Sequence, residues 1–280
     1  MPIVDKNGVC IGLLAGRPGD PDWPKLQLKG ADSLEKARTK CRVSEACSDH
    51  RRGQFTTLRT GFSHGGGQTQ PRNLANNVTN QCIIDDLNSQ DVFQRIAGFM
   101  SSVFERQFPE LHEYYVEKLS ALQSNDPSLE KPFSNSVFSS TTYNLGPWTE
   151  CLPHVDFANL AFGLCGITAL GSFEHKEGGH LILWELGLVI EFPPGSTILI
   201  PSAIINHSNV AIAEKERRYS FTGYSAGALF RWVDHDFKKY DMLQLFLALQ
   251  TMFLAEIGLD ISSRNLHSGD FGTPYFGIMA

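Results

Sequence analysis

Two histidines and one aspartate in the second half of the chain are suited to binding a metal ion. His154 and Asp156 are alternate residues on a predicted strand, and His207 follows the apolar strand Thr197–Ile200. Period-2 geometry points His154 and Asp156 to the same face of their strand. Two neutral imidazoles and a carboxylate suit Fe(II) and leave coordination positions open for a co-substrate and oxygen. They predict an iron site, with coincidence or core packing as the alternative explanation of so short a motif.

A basic residue on the strand after the second histidine suits an acidic co-substrate. Arg218 and Ser220 are two residues apart on this predicted strand, so they face the same side. A guanidinium binds a carboxylate through two parallel hydrogen bonds, which a hydroxyl can supplement. The pair fits the distal carboxylate of 2-oxoglutarate, whose other end would chelate the iron. Two alternatives are that Arg217, on the opposite side, is the anchor, or that Arg218 forms a surface ion pair with Glu214 or Glu216.

Three further polar residues are candidates for the same pocket. His180 follows Gly178 and Gly179, and its ring can donate a hydrogen bond to the co-substrate or be satisfied by the backbone. Asn144 and Tyr143 lie on the predicted strand before the metal residues, and the same two interpretations apply to them. We predict that His180 contacts the co-substrate.

Helices are predicted where apolar residues recur on one face. Asp91–Gln107 has this pattern, and a second helix begins at Pro109. Their aromatic faces indicate packing against a sheet. The segment up to about Lys29 is typical of a loop, and Asp32 or Ser33 is predicted to cap an earlier helix.

The region from Phe133 to Asp236 is dominated by short predicted strands with frequent turns. Such a pattern favours a sandwich or a jelly-roll barrel. One more strand, Val9–Leu14, comes early in the chain, and a helix dense in Leu, Phe and Met is predicted at Tyr240–Ile257. The other predicted strands are Ser136–Tyr143, Cys165–Leu170, His180–Trp184, Leu188–Phe192, Ser196–Pro201 and Arg218–Ser225.

Composition limits the function classes. The 280 residues carry a net charge of −6, which is not the basic balance typical of nucleic-acid binding. The six cysteines form no C-x-x-C pair, so we expect reduced thiols in an intracellular protein. We also expect neither a signal peptide nor a membrane span, because no apolar run reaches about 20 residues.

The segment Ser63–Gln68 contains three consecutive glycines. They indicate either a flexible turn or a lid on the substrate side. Basic residues flank this segment and are candidates for contacts with nucleic-acid phosphates. They are Arg51, Arg52, Arg59 and Arg72.

At these residues the sequence resembles the fungal TET/JBP-like dioxygenases, relatives of the enzymes that oxidise methylated bases in DNA. The resemblance covers most of residues 10–236. It is carried by the segments His154–Leu160, Gly178–Trp184, Phe192–Ser202, His207–Asn209, Arg218–Trp232 and Ser63–Gln68.

The resemblance implies an α+β fold whose core, about residues 133–236, is a double-stranded β-helix (jelly roll). N-terminal helices would pack on this core, and residues 1–236 would form the dioxygenase domain before a C-terminal helix and tail at 237–280. The resemblance also implies Fe(II) at His154, Asp156 and His207 and 2-oxoglutarate at Arg218. O2 would be the oxidant, and the substrate would be DNA with 5-methylcytosine, thymine or methylated adenine, in the nucleus. The alternatives are the same chemistry on a protein side chain or small molecule, and a catalytically silent binding module.

Overall fold

The computed structural model describes residues 1–43 and 48–238, with helices on one side of a large antiparallel sheet. Both consecutive helices predicted around Pro109 are confirmed. The helices are α1 (Trp23–Lys40), α2 (Val78–Ser89), α3 (Asp91–Gln107), α4 (Pro109–Asn125) and α5 (Gly227–Asp234). The predicted helix Tyr240–Ile257 lies outside the described residues.

Helix α1 begins earlier than predicted. Asp32 and Ser33 lie inside the helix and do not cap it, so that prediction was wrong. Pro24 occupies the first turn, where a proline removes no intrahelical hydrogen bond and its fixed φ favours the helix. The Trp23 indole donates a hydrogen bond to the Gly195 carbonyl oxygen (2.8 Å), which ties the start of α1 to the turn before a strand.

Antiparallel strands form an eight-stranded sheet, a three-stranded sheet and a two-stranded hairpin. The order is β1-β2-β11-β8-β13-β7-β5-β6 in the large sheet and β10-β9-β12 in the small one, while β3 pairs with β4. The strands are β1 (Pro2–Val4), β2 (Cys10–Gly16), β3 (Asp49–His50), β4 (Gly53–Gln54), β5 (Thr56–Ser63), β6 (Arg72–Asn73), β7 (Ser140–Leu145), β8 (Cys165–Ser172), β9 (Leu181–Leu183), β10 (Leu188–Ile190), β11 (Thr197–Ile200), β12 (His207–Asn209) and β13 (Arg217–Tyr224).

The two faces of the large sheet belong to different apolar clusters. Tyr219 and Phe221 of β13 pack with the helices, and the Phe93 ring of α3 lies 6.0 Å from that of Phe221. On β11, Leu199 belongs to this cluster with the helices, whereas Ile198 and Ile200 belong to a second cluster. This alternation is the period-2 pattern of a strand between two packed layers.

The second cluster joins the large sheet to the small one. It combines Ala169 and Ile198 of the large sheet with Leu181 and Leu183 of β9. The face of β13 that turns away from the helices therefore lies on the side of the small sheet, which carries His207.

Two further sequence predictions concern the whole chain. The cysteines among the described residues are all free thiols, as predicted. In the part of the chain that the structure describes, no helix is long and apolar enough to cross a membrane.

Candidate metal and co-substrate site

The three predicted metal ligands lie together. One potential ligand atom from each of His154, Asp156 and His207 lies within 4.8 Å of the other two. His154 Nε2 is 3.8 Å from Asp156 Oδ1, and His207 Nε2 is 3.9 Å from Asp156 Oδ2. Both imidazoles are buried, while Asp156 is partly exposed. Within residues 1–43 and 48–238, this is the only group of three such side chains that could hold a metal ion.

Backbone hydrogen bonds orient both imidazoles. His154 Nδ1 lies 2.7 Å from the Leu152 carbonyl oxygen, and His207 Nδ1 lies 3.0 Å from that of Ile205. A carbonyl can only accept, so Nδ1 carries the proton and Nε2 keeps its lone pair. Burial and then the neighbouring His207 ring lower the pKa of His154 to about 4, so His154 is neutral at neutral pH. Neutral Nε2 atoms beside a carboxylate are what a divalent metal requires.

A loop, and not a strand, carries His154 and Asp156. The two histidines form an isolated bridge, with amide-to-carbonyl distances of 3.1 Å and 2.9 Å. The Asp156 amide donates to the Ser202 carbonyl oxygen (2.8 Å). Pro153 has no amide hydrogen and so cannot extend the ladder. The predicted strand was therefore wrong, although the predicted convergence of the two side chains is present.

Arg218 is a buried cation that forms no ion pair with any described residue. Its side chain lies on β13, and the residue is 3% exposed. Nη1 donates to the Thr149 carbonyl oxygen (2.9 Å) and hydroxyl (3.0 Å), while Nε is buried without a partner. Burial lowers the pKa of Arg218 to about 10, which leaves the group charged at neutral pH. An unpaired buried charge is costly, so the pocket is suited to an anion.

The alternatives for this arginine do not match its surroundings. Within the described chain Arg218 forms no ion pair with Glu214 or Glu216. The Glu216 carboxylate instead accepts hydrogen bonds from two backbone amides, those of Glu174 and Ala213. Arg217 points outward, with Nη1 3.5 Å from Asp32 Oδ1.

Strand β12 connects the arginine with the metal residues. Asn209, two residues after His207, donates from Nδ2 to the Thr149 carbonyl oxygen (3.1 Å). The same oxygen accepts the hydrogen bond from Arg218. A cavity of about 380 Å³ is lined by Thr149, Asn209 and Arg218 among others.

Ser220 and Asn144 form a second polar pair on this side of the sheet. The Asn144 amide donates to Ser220 Oγ (2.8 Å), and Asn144 Oδ1 is buried without a partner. Because Ser220 Oγ accepts this bond, its own hydrogen remains available to a ligand. Tyr143 lies on the opposite side, where its hydroxyl donates to Asn88 Oδ1 (2.7 Å) and its ring packs on Phe93.

One face of β13 continues from Arg218 into a large cleft. Thr222 and Tyr224, the next alternate residues after Ser220, line a cleft of about 580 Å³, and so does Asp156. Alternation places all four side chains of β13 on one face. The cleft thus gives access to the metal residues from the end of the sheet opposite Arg218.

Arginines surround this cleft. Three of the predicted phosphate-contact residues line it, together with Arg42, whereas Arg72 does not. Asp156 is the only acidic residue in its lining within the described chain. The lining arginines are Arg42, Arg51, Arg52 and Arg59.

Two sequence candidates lie apart from these cavities. His180 is half-buried just before β9, and its carbonyl oxygen accepts from the Val210 amide. Neither His180 nor Ser220 lines the cavity beside Arg218, but Ser220 shares the face of β13 that carries Arg218, whereas His180 lies outside that strand. The glycines of Ser63–Gln68 are exposed, and the His64 ring packs 5.2 Å from that of Trp232. Among the described contacts, none supports a co-substrate role for His180 or a lid role for Ser63–Gln68.

Sequence reasoning missed two parts of the site. Strand β5 carries Arg59, and its buried residues Leu58, Thr60 and Phe62 alternate, which is a usable strand signal. Thr149 holds Arg218, but a lone threonine after a tryptophan carries no signal of that role.

Comparison with known proteins identifies related folds. NgTET1 in complex with 5mC DNA matches with a TM-score of 0.58 at 15% identity, over 89% of this chain and 83% of that chain. The chain shares the fold of NgTET1. A Pseudomonas putida prolyl-4-hydroxylase matches with a TM-score of 0.41 at 12% identity, over 77% of this chain and 91% of that one. An oxidoreductase of the 2OG-Fe(II) oxygenase family from Burkholderia pseudomallei gives 0.38 at 15% identity, over 69% and 77%.

The sequence comparisons add no closer assignment. No protein-family model matches the chain, and no curated protein matches it. The shared fold with NgTET1 therefore rests on the structure, and the function is argued from the site itself.

Proposed function

We propose that this protein is an Fe(II)- and 2-oxoglutarate-dependent dioxygenase that oxidises a methylated base in DNA. The observation that carries the proposal is the cluster of His154, Asp156 and His207, in which the Nε2 atoms of two buried imidazoles face one carboxylate. This donor set is the facial triad of non-haem Fe(II) oxygenases. The shared fold with NgTET1 supports the same reading.

The co-substrate is assigned to the pocket of Arg218. Arg218 would bind the distal carboxylate of 2-oxoglutarate, and Ser220 would donate its free hydroxyl hydrogen to it. Asn144 would hold Ser220 in place. His180 remains a predicted contact that no observed interaction supports. Bound Fe(II) would couple oxidation of a methyl C–H bond by O2 to the conversion of 2-oxoglutarate into succinate and CO2.

The protein's own residues would prepare the site for this chemistry. The Leu152 and Ile205 carbonyls keep the protons on Nδ1 of both histidines, so their Nε2 atoms are available without proton loss. Buried apolar residues of β9 and β11 form the layer between the two sheets and would limit the access of water from that side. We also propose that the two sheets form a double-stranded β-helix, with residues 1–236 as the catalytic domain.

DNA is proposed as the substrate because of the arginine cleft. Although the net charge is −6, the cleft that contains Asp156 is lined by four arginines and one acidic residue among those described. Clustered arginines attract the phosphates of nucleic acid. NgTET1, whose fold the chain shares, was solved with 5mC DNA. A base in duplex DNA would have to flip out to reach the iron. A nuclear location follows from this substrate.

The proposal is tested by the succinate that the Fe(II)-loaded protein produces from 2-oxoglutarate. We expect duplex DNA with 5-methylcytosine or methylated adenine to stimulate succinate formation above the level seen with unmethylated duplex. If the true substrate is a protein or a small molecule, 2-oxoglutarate turnover should be weak and equal with both duplexes. A binding module predicts no succinate in any mixture.

A further inference from the structure

An exposed aromatic ring stands beside the proposed iron site. Phe157 immediately follows Asp156, lines the arginine cleft and is 74% exposed. A single exposed phenylalanine is common on protein surfaces, so the groups around the ring decide whether it marks a contact surface. Neither the metal residues nor the co-substrate pocket explains the position of this ring.

The turn that carries the ring is anchored by backbone hydrogen bonds. Phe157 and Ala158 form a turn closed by a hydrogen bond from the Asn159 amide to the Asp156 carbonyl oxygen (2.8 Å). The Ala158 carbonyl oxygen accepts from the Gly227 amide (2.9 Å), so the turn is anchored to the start of α5. Because the backbone of this turn is already ordered, it loses little conformational entropy when the ring binds a partner.

An arginine lies over the ring. The Arg51 guanidinium carbon is 5.1 Å from the Phe157 ring centroid, which is a cation–π distance. Arg51 Nη1 also donates to the Val155 carbonyl oxygen (3.1 Å). Arg51 is therefore committed to the loop that carries Asp156 and Phe157, whereas Arg52 and Arg59 are available for phosphates.

We propose that the Phe157 ring, backed by Arg51, is a stacking surface for a nucleobase next to the base that enters the iron site. The inference rests on the proposed DNA substrate. A flat π-face beside phosphate-binding arginines is the arrangement that binds unpaired bases without sequence preference. Stacking here would stabilise the neighbour of a flipped base, which loses its own stacking partner.

The test measures binding of the metal-free full-length protein to a short fluorescein-labelled duplex with one 5-methylcytosine, by fluorescence anisotropy. We expect Phe157→Ala to weaken binding roughly tenfold, since base–aromatic stacking supplies that order of affinity. Phe157→Trp should bind as well as the unaltered protein, because tryptophan keeps a π-face. Phe157→Leu should bind as weakly as Phe157→Ala, because leucine has none. The slope of affinity against salt concentration should not change, because no phosphate contact is lost.

Phe162→Ala is the matched control. Phe162 is also an exposed phenylalanine, at 61%, but it does not line the cleft and its ring packs 5.6 Å from Tyr114. We expect its removal to leave DNA binding unchanged. Thermal unfolding of each variant checks that the fold is intact.

A series of duplexes locates the stacked base. Each base flanking the 5-methylcytosine is replaced in turn by an abasic site, and the effect of Phe157→Ala is measured on each duplex. The stacking model predicts that the effect disappears at one flanking position, because the variant and the abasic site then remove the same interaction.

The outcomes separate the two proposals. If Phe157→Ala binds DNA with unchanged affinity, or if Phe157→Leu binds as well as the unaltered protein, the stacking proposal is overturned. The DNA proposal survives that result if Arg59→Ala still weakens binding. No binding of the methylated duplex by the unaltered protein overturns both proposals.

Discussion

The polar face of β13 has arginines at both ends, and they differ in burial. Arg218 lies at one end, and Arg52 and Arg59 line the cleft at the other. Arg218 is buried and fixed by Thr149. Arg59 is exposed and Arg52 is partly exposed in the lining of an open cleft. None of the three forms an ion pair with another residue that the structure describes. A buried, oriented guanidinium selects a small anion of defined geometry, whereas exposed guanidiniums attract an extended polyanion of any shape. One strand thus supports both a specific co-substrate pocket and a nonspecific substrate surface.

The largest effect is expected when one of the proposed metal ligands is removed. Asp156→Ala should abolish iron binding and turnover, because two histidines alone leave the cation without a charged oxygen ligand. Bound iron is measured by elemental analysis after anaerobic loading and desalting. The Asp156 carboxylate accepts no hydrogen bond from the residues that the structure describes, so the unfolding temperature should change little. Stoichiometric iron in the variant would refute this site.

The next prediction compares the adjacent arginines. Arg218→Ala should weaken 2-oxoglutarate binding by roughly a hundredfold or more, since removing one partner of a buried charge pair costs a few kcal/mol. Iron binding should persist. Arg217→Ala is the matched control, because Arg217 is exposed and pairs with Asp32. Anaerobic calorimetry measures the affinity, and normal binding by Arg218→Ala would contradict the assignment.

The cleft is tested by its salt dependence. Arg52→Ala and Arg59→Ala should each weaken DNA binding and reduce the slope of log affinity against log salt by about 1, because each loses one phosphate contact. Arg72→Ala, outside the cleft lining, should leave the slope unchanged. An equal effect of all three substitutions would mean that the cleft is not the DNA-binding surface.

The smallest effect is expected at Ser220. Ser220→Ala should weaken 2-oxoglutarate binding about tenfold, the lower end of the scale for a hydrogen bond to a charged group, because Arg218 still holds the carboxylate. Titration under the same anaerobic conditions measures it. A loss as large as that of Arg218→Ala would mean that the hydroxyl, and not the guanidinium, holds the carboxylate.

The sequence predicted which site residues converge better than it predicted the backbone that carries them. His154, Asp156 and His207 were predicted to converge, and the structure brings the three side chains together. The burial of Arg218 was not predicted. The sequence did not reveal that a loop positions Asp156, because a period of two is compatible with any extended backbone.

The cleft was only partly predictable. Arg51, Arg52 and Arg59 were identified by charge, but Arg42 joins them only through folding, and β5 was not predicted. Long-range pairing decides which surface residues become neighbours, and local periodicity carries no information about it. The role proposed for Phe157 likewise depends on Arg51, which is remote in sequence.

The most direct test of the central claim is mass spectrometry of nucleosides after the Fe(II)-loaded protein is incubated with 2-oxoglutarate, O2 and duplex DNA containing 5-methylcytosine or methylated adenine. We expect an oxidised or demethylated base together with succinate, and neither product from the Asp156→Ala variant. Unchanged nucleosides alongside succinate would contradict the DNA substrate and retain the oxygenase chemistry. Unchanged nucleosides without succinate would contradict the catalytic assignment itself.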